Sequence, residues 1–97
     1  MSNNDLTFMA EYLKKDCKGK ANAIKSRELE EIFSCSGAEI RCSINKLRQK
    51  GYPICSDASG YYYANTHYEL KKTIEQLKHR AMLINSALTG LENININ

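Results

Sequence analysis

The chain has 97 residues, of which 42% are hydrophobic and 26% are charged, and its formal net charge is +3. These values are typical of one small globular domain. No apolar run approaches the roughly 20 residues that cross a membrane, and the first residues lack the basic segment and apolar stretch of a signal peptide. We therefore expect a cytoplasmic protein without membrane segments.

The sequence carries no pattern typical of a metal site or an enzyme. The four cysteines, Cys17, Cys35, Cys42 and Cys55, include no pair separated by two residues, and both histidines lie in the last third of the chain. Zinc sites usually combine such pairs. A P-loop, a dinucleotide fingerprint and a nucleophile motif are also missing. We predict no metal, no cofactor and no enzymatic activity.

The first predicted helix begins at Asn4 or Asp5. Apolar residues that recur at helical intervals should form its buried side: Leu6, Met9, Ala10, Leu13 and Cys17. The segment 18–22 then interrupts the helix and places Lys18 and Lys20 in a mobile loop. Residues 23–25 could supply a short strand that pairs with a later hairpin.

A second, short helix is predicted to begin at Ser26, because serine is a favourable N-cap. Leu29, Ile32 and Phe33 are spaced to form one buried stripe on it. The turn Ser34-Cys35-Ser36 follows directly. These features predict a helix that packs on one side and turns sharply into the next element.

The third helix is predicted from Ser36 to Gly51. Ser36 and Glu39 have the spacing of a capping box, and glycine is common just after a helix end. The predicted buried side consists of Ile40, Ile44 and Leu47. The outward side carries mostly hydrogen-bond donors: Arg41, Cys42, Asn45, Lys46, Arg48 and Gln49.

Two strands are predicted after this helix, at 52–56 and 60–64, joined by a turn over 57–59 with Gly60 near a bulge position. Pro53 belongs at the start or edge of its strand, since it has no amide hydrogen to donate. Alternation along the strands predicts that at least one hairpin tyrosine is exposed. We take Ser59 and Tyr62 as the candidate contact residues of this hairpin.

The segment from Ser26 to Tyr63 resembles the N-terminal winged-helix domain of biotin repressors and of similar small bacterial and phage regulators. The resemblance covers about four tenths of the chain. It implies a mainly helical α+β fold, a winged helix-turn-helix, in which the helix after Ser36 binds DNA with help from the hairpin, the wing. It does not imply biotin chemistry. The residues that carry it are Ser26, Glu28, Leu29, Ile32, Ser36, Ile40, Asn45, Lys46, Leu47, Arg48, 51–54, Gly60 and Tyr61.

Positive charge is concentrated in residues 18–51, which hold eight basic and four acidic side chains. This excess indicates a surface that neutralises phosphates, although a solvated helical surface would give the same count. We predict base contacts from Arg41, Asn45 and Cys42, since arginine suits guanine and asparagine suits adenine. For Cys42, an incidental surface thiol is the favoured alternative. The predicted phosphate contacts are Ser36, Lys46, Arg48, Lys50, Lys18 and Lys20.

A long helix is predicted from the capping pair Thr66 and Glu69 to about Gly90. Its apolar residues alternate at spacings of four and three, as in a coiled-coil seam. We predict a homodimer through this seam. Antiparallel or non-coiled packing is favoured because parallel pairing would bring the lysine and arginine side chains at the flanking positions of the two copies near each other. Alternatively, the helix folds back on the first helix of the same chain. The seam residues are Leu70, Ile74, Leu77, Ala81, Ile84, Leu88 and Leu91.

The sequence therefore predicts a winged-helix domain at 1–65, a dimerisation helix at 66–92 and a tail at 93–97. The leading hypothesis is a sequence-specific double-stranded DNA-binding protein, either a dimeric transcriptional regulator or a phage DNA-binding accessory. The alternative is a winged-helix module that binds a host or replisome protein. A hairpin rich in tyrosine and free of lysine, together with Gly37 at the contact end of the third helix, motivates that alternative.

Overall fold

The computed structural model describes residues 1–96. In this part of the chain, four α-helices and one antiparallel two-stranded sheet form a mainly helical α+β fold, which confirms the prediction at that level. Asn97, the last residue of the predicted tail, lies outside the described residues. The elements are α1 (Asn3–Asp16), a 3₁₀ turn (Lys20–Asn22), α2 (Ser26–Phe33), α3 (Gly37–Gln49), β1 (Ile54–Asp57), β2 (Gly60–Tyr63) and α4 (His67–Glu92).

The ends of α1 and α3 are fixed by capping boxes. Ser2 caps α1 together with Asp5, so this helix begins slightly earlier than predicted. Ser36 caps α3 as predicted: its Oγ accepts a hydrogen bond from the Glu39 amide at 3.2 Å. Gly51 follows the end of α3 with φ +95°, which also confirms the prediction.

The beginning of α2 differs from the prediction. Lys25 is the N-cap, and Ser26 is the first helical residue, where its Oγ donates to Glu30 Oε2 at 3.0 Å. Ser34 ends the helix in the left-handed conformation, with φ +51°. This backbone conformation reverses the chain within three residues and brings α3 against α2.

The hydrophobic core lies between α1, α2, α3 and one face of the hairpin. It includes all five apolar residues predicted for α1 and the three predicted for α3. On α2, however, only Leu29 is buried. Phe33 is half-buried, and Ile32 is 46% exposed, so the prediction that Ile32 is buried is wrong. Because α2 has only eight residues, one side chain of its stripe reaches the centre of the core.

The hairpin formed by β1 and β2 is covered on both faces. Ile54, paired with Tyr63, and Tyr61 pack against the helical core. Cys55 and Tyr62, which pair with each other, point to the opposite face, where β1 packs against α4. The hairpin tyrosines are therefore buried or half-buried, and the prediction of an exposed one is wrong.

The segment before α2 pairs with the hairpin edge as predicted, although only as a single bridge. Ile24 exchanges two backbone hydrogen bonds with Tyr61, at 2.8 and 2.9 Å. Gly60 lies directly beside this contact with φ +122°, and a Cβ atom there would overlap the Ile24 carbonyl. The close approach explains why glycine is needed at the start of β2.

The first part of α4 is attached to the rest of the molecule through Glu69. The Thr66 side chain caps the helix by accepting from the Glu69 amide. In the predicted capping box, the Glu69 carboxylate would accept from the Thr66 amide in return, but it accepts from two other amides instead. The Glu69 carboxylate accepts from the amides of Asn65 at 2.8 Å and Lys20 at 2.9 Å. This links α4 to the segment after α1, while every residue from 74 to 96 is exposed. No helix within residues 1–96 is long and apolar enough to span a membrane.

Candidate nucleic-acid interface

The outward face of α3 carries exposed polar side chains on a helix whose opposite face is fixed in the core. Arg41, Cys42 and Asn45, the predicted base contacts, are all exposed. Ile40 and Ile44, which point the other way, are almost fully buried. The burial of one face therefore holds the polar face in a defined orientation.

A groove of about 480 Å³ runs between this face of α3, the hairpin and α4. Arg41 and Arg48 of α3 and Arg80 of α4 line it, so three guanidinium groups from two helices share one groove. Among the described residues, none of the groove-lining side chains is acidic. The remaining walls combine hydrogen-bonding groups with apolar surface from Asn45, Ser56, Tyr61 and Leu77.

Arg48 is a fixed, half-buried cation and not the free surface residue that was predicted as a phosphate contact. Its Nε donates to the Ile54 carbonyl at 2.8 Å, and its Nη2 donates to Ser56 Oγ at 3.0 Å. Burial lowers the pKa of Arg48 from its usual value, and the positive charge of Arg80 lowers that pKa further. The guanidinium therefore joins α3 to β1 and also lines the groove.

Ser36, another predicted phosphate contact, uses its hydroxyl inside the helix cap. Its Oγ accepts from the Glu39 amide and lies 3.4 Å from Glu39 Oε1, to which it can donate. The negative charge of the Glu39 carboxylate at this end of α3 repels a phosphate. The structure thus gives Ser36 a structural role at the start of the helix.

The four predicted phosphate-binding lysines do not share one surface. Lys46 and Lys50 are exposed on α3, and Lys46 borders a separate hollow beside Met1 and Leu6. Lys18 and Lys20 lie on the loop next to the hairpin, where Lys20 Nζ is 3.5 Å from Asp57 Oδ2. The loop lysines are thus separated from the groove that the arginines line.

The two hairpin residues predicted as contacts have different surroundings. Ser59 lies in the turn, where its amide donates to Asp57 Oδ1 at 2.7 Å. Tyr62 is only 3% exposed between the hairpin and α4, so its ring is not available at the surface. Burial, with smaller contributions from nearby negative groups, raises the pKa of Tyr62 to about 12.

The predicted seam residues of α4 divide into two groups. Leu70 is half-buried near the hairpin, and Ile74 and Leu77 border a hollow between α4 and β1. The second group, which lies beyond the hairpin, consists of Ala81, Ile84, Leu88 and Leu91 and is exposed. The alternative in which α4 folds back on α1 would cover that second group, which the structure leaves open.

Arg80 is the groove residue that sequence reasoning missed as a candidate contact. Its spacing from buried Thr73 and from Leu77 places it on the side of α4 that faces the hairpin and α3. Only the packing direction of α4 identifies it, because the sequence pattern does not say which neighbour the helix meets.

Comparisons of the chain with models of known families, with curated proteins and with solved structures found no significant match.

Proposed function

We propose that the protein binds double-stranded DNA through α3 and acts as a dimer, with the arrangement of a winged helix-turn-helix. The observation that carries the proposal is the face of α3, where exposed polar side chains continue into a groove with three arginines and no acidic side chain among the described residues. An exposed, capped helix with such side chains matches the dimensions and donor requirements of the major groove.

Each residue type has a separate role in this proposal. Arg41 and Asn45 read base edges, with Cys42 between them on the same exposed face. Lys46 and Lys50 contact phosphates and fix the register of the helix on DNA. The hairpin reaches DNA through its turn at residues 58–59 and not through Tyr62, which is buried against α4.

The dimer is supported by the composition and exposure of residues 81–91 of α4. This stretch has no charged residue, and Ile84 and Leu91 are 63% and 67% exposed. It also contains asparagine, serine, threonine and glycine, which are weaker helix formers than alanine or leucine. A helical segment of this length and composition is marginal in water without a packing surface. A second copy of α4 supplies that surface.

Anisotropy titrations of fluorescent duplexes test DNA binding, with random and selected sequences at low salt. We expect Arg41→Ala and Asn45→Ala each to weaken binding to a selected site by roughly 1–3 kcal/mol and to relax base preference. Arg27→Ala removes an equal charge from the exposed surface of α2 and is the matched control for Arg41→Ala. A wild-type protein that binds no duplex at low salt would refute the proposal.

The same proposal covers a transcriptional regulator and a phage DNA-binding accessory. A regulator is expected to prefer one operator-like sequence strongly over random duplex, whereas an accessory can bind with little preference. The ratio of the two affinities, measured at one salt concentration, separates these roles.

A second candidate is a protein-interaction module, and it is favoured by an apolar patch on α1 and α2. Phe8 is 57% exposed and meets Phe33 edge to face with ring centroids 5.7 Å apart, and Ile32 is exposed on the same helix as Phe33. Clustered exposed aromatic residues are common in protein interfaces. A Phe8→Ser variant that binds DNA like the wild type but no longer binds a protein partner would favour this candidate.

A further inference from the structure

We infer that the groove between α3 and α4 binds a phosphate of the DNA backbone, and that Arg80 of α4 is a direct contact which completes a site begun by Arg48, next to the base-reading Arg41. This inference rests on the proposed function and makes it more specific. It assigns part of α4 to the DNA interface, in addition to its role in the dimer.

Arg48 is held in place before any ligand arrives. Two hydrogen bonds, to the Ile54 carbonyl and to Ser56 Oγ, fix its guanidinium against β1. Only two of its N–H groups are used in this way. A guanidinium has five such donors, so others remain for an acceptor in the groove. A preordered arginine loses little conformational freedom when it binds an anion.

The packing of α4 on the hairpin positions Arg80. Thr73 is buried against the hairpin, and Arg80 follows it by two helical turns on the same side of α4. Leu77 lies between them and lines the groove beside Arg80. The attachment of α4 to the hairpin therefore sets the position of Arg80 relative to Arg48.

The groove carries positive charge. Arg41, Arg48 and Arg80 line it, and none of its lining residues within 1–96 is acidic. Glu30 of α2 lies outside the groove, although one of its carboxylate oxygens and Arg41 Nη1 both lie close to Gly37. In residues 1–96 the single ion pair within 4 Å joins Lys20 to Asp57, and neither of these residues lines the groove. Arg48 and Arg80 repel one another, and an anion with several oxygens relieves that repulsion through paired hydrogen bonds.

The groove is continuous with the face of α3 that we propose reads bases. Arg41 and Asn45 belong both to the exposed face of α3 and to the groove. A backbone phosphate of the nucleotides next to those read by α3 is therefore the anion that the groove would meet.

The test compares Arg80→Ala with Lys78→Ala by measuring duplex affinity over a range of salt concentrations. Both variants remove one exposed positive charge from α4, two residues apart, but Lys78 does not line the groove. The slope of log affinity against log salt becomes shallower by about 0.9 for each phosphate that the protein no longer neutralises. We expect this reduction for Arg80→Ala and a wild-type slope for Lys78→Ala, with base preference unchanged in both.

Arg80→Lys separates charge from geometry. Lysine keeps the positive charge but lacks the fork of donors. We expect this variant to keep the wild-type salt slope and to bind more weakly than the wild type. Circular dichroism and light scattering of each variant check that α4 and the oligomeric state are unchanged.

Equal slopes for Arg80→Ala and Lys78→Ala, in a wild-type protein that does bind duplex, would overturn the inference and leave the proposed function standing. Absence of duplex binding by the wild type would overturn both. In that case, a titration with inorganic phosphate, followed by NMR of the arginine Nε–H groups, distinguishes the source of the anion. Shifts of Arg48 and Arg80 would then assign the groove to free phosphate, not to a nucleic-acid backbone.

Discussion

The two halves of α4 have the same helical conformation but opposite relations to the rest of the molecule. Residues 67–80 carry four basic and two acidic side chains and pack on the hairpin through half-buried Leu70 and buried Thr73. Residues 81–92 carry a single charge, on Glu92, and are exposed throughout. The half that is richer in charge is thus the one attached to the domain, and the apolar half extends away from it.

This difference shows that hydrophobic periodicity identifies a buried face without identifying what buries it. One pattern of alternating spacings runs from Leu70 to Leu91. Leu70 is half-buried against the same chain, and Ile74 and Leu77 are exposed but border the hairpin. The seam residues from Ala81 onward are available for a second copy in the proposed dimer. The boundary between the part of α4 that lies beside the hairpin and the part proposed to pair with a second copy is near Arg80, at the groove.

The largest effect is expected from a charge introduced into the attached half. Thr73→Asp places a carboxylate against Cys55 and the hairpin, where Thr73 is 4% exposed. An uncompensated buried charge costs about 3–5 kcal/mol, so we expect a loss of stability of that order in urea unfolding. Thr89→Asp makes the same change in the exposed half, away from the seam, and is expected to alter stability by less than about 0.5 kcal/mol. Similar losses in both variants would show that the halves do not differ.

The next largest effect is expected on dimer formation, from changes within residues 81–92, the exposed half of α4. Ile84→Asp combined with Leu88→Asp puts two charges into the seam that we propose as the dimer interface. We expect the dissociation constant to rise by about 100-fold or more, since desolvating each unpaired carboxylate costs several kcal/mol. Light scattering over a range of concentrations measures this. Ser86→Asp, on the outward side of the same helix, is the control. A wild-type protein that is monomeric at high concentration would contradict the dimer.

Local features of this fold could be predicted because short-range rules determine them. The cap at Ser36, the helix end at Gly51 and the buried residues of α1 and α3 all follow from spacing and residue type. The short length of α2 could also be predicted. The exposure of Ile32 could not, because burial of that side chain depends on how neighbouring helices pack against α2.

The candidate site was predicted only in part, because it depends on which elements meet. The polar face of α3 was clear from the sequence. The position of α4 over the hairpin was not, and it decides that Tyr62 is buried and that Arg80 borders the groove. Likewise, nothing in the local sequence shows that Arg48 reaches the carbonyl of Ile54, six residues away across a turn.

A smaller effect is expected from pH, through the attachment of the first half of α4. Hydrogen bonds from the amides of Lys20 and Asn65 lower the pKa of Glu69 below its usual value of 4.5. Because the pKa is lowered in the folded state, the stabilisation is complete above about pH 4.5 and is lost as the pH falls through the folded-state pKa. We expect the urea concentration at the unfolding midpoint of the wild type to decrease as the pH is lowered below about 4.5. The fall should be smaller for Glu69→Gln, and Glu75→Gln, an exposed change on the same helix, should behave like the wild type.

The smallest effect is expected from the phenol hydroxyl between the hairpin and α4. Tyr62 Oη lies 3.4 Å from Asp57 Oδ2, which is long for a hydrogen bond between oxygens, so Tyr62→Phe should cost less than about 1 kcal/mol. Burial raises the pKa of Tyr62 to about 12, so its ionisation should be the late step when tyrosine absorbance is followed at alkaline pH. That step should disappear in Tyr62→Phe. Persistence of the late step in Tyr62→Phe would mean that another tyrosine produces it.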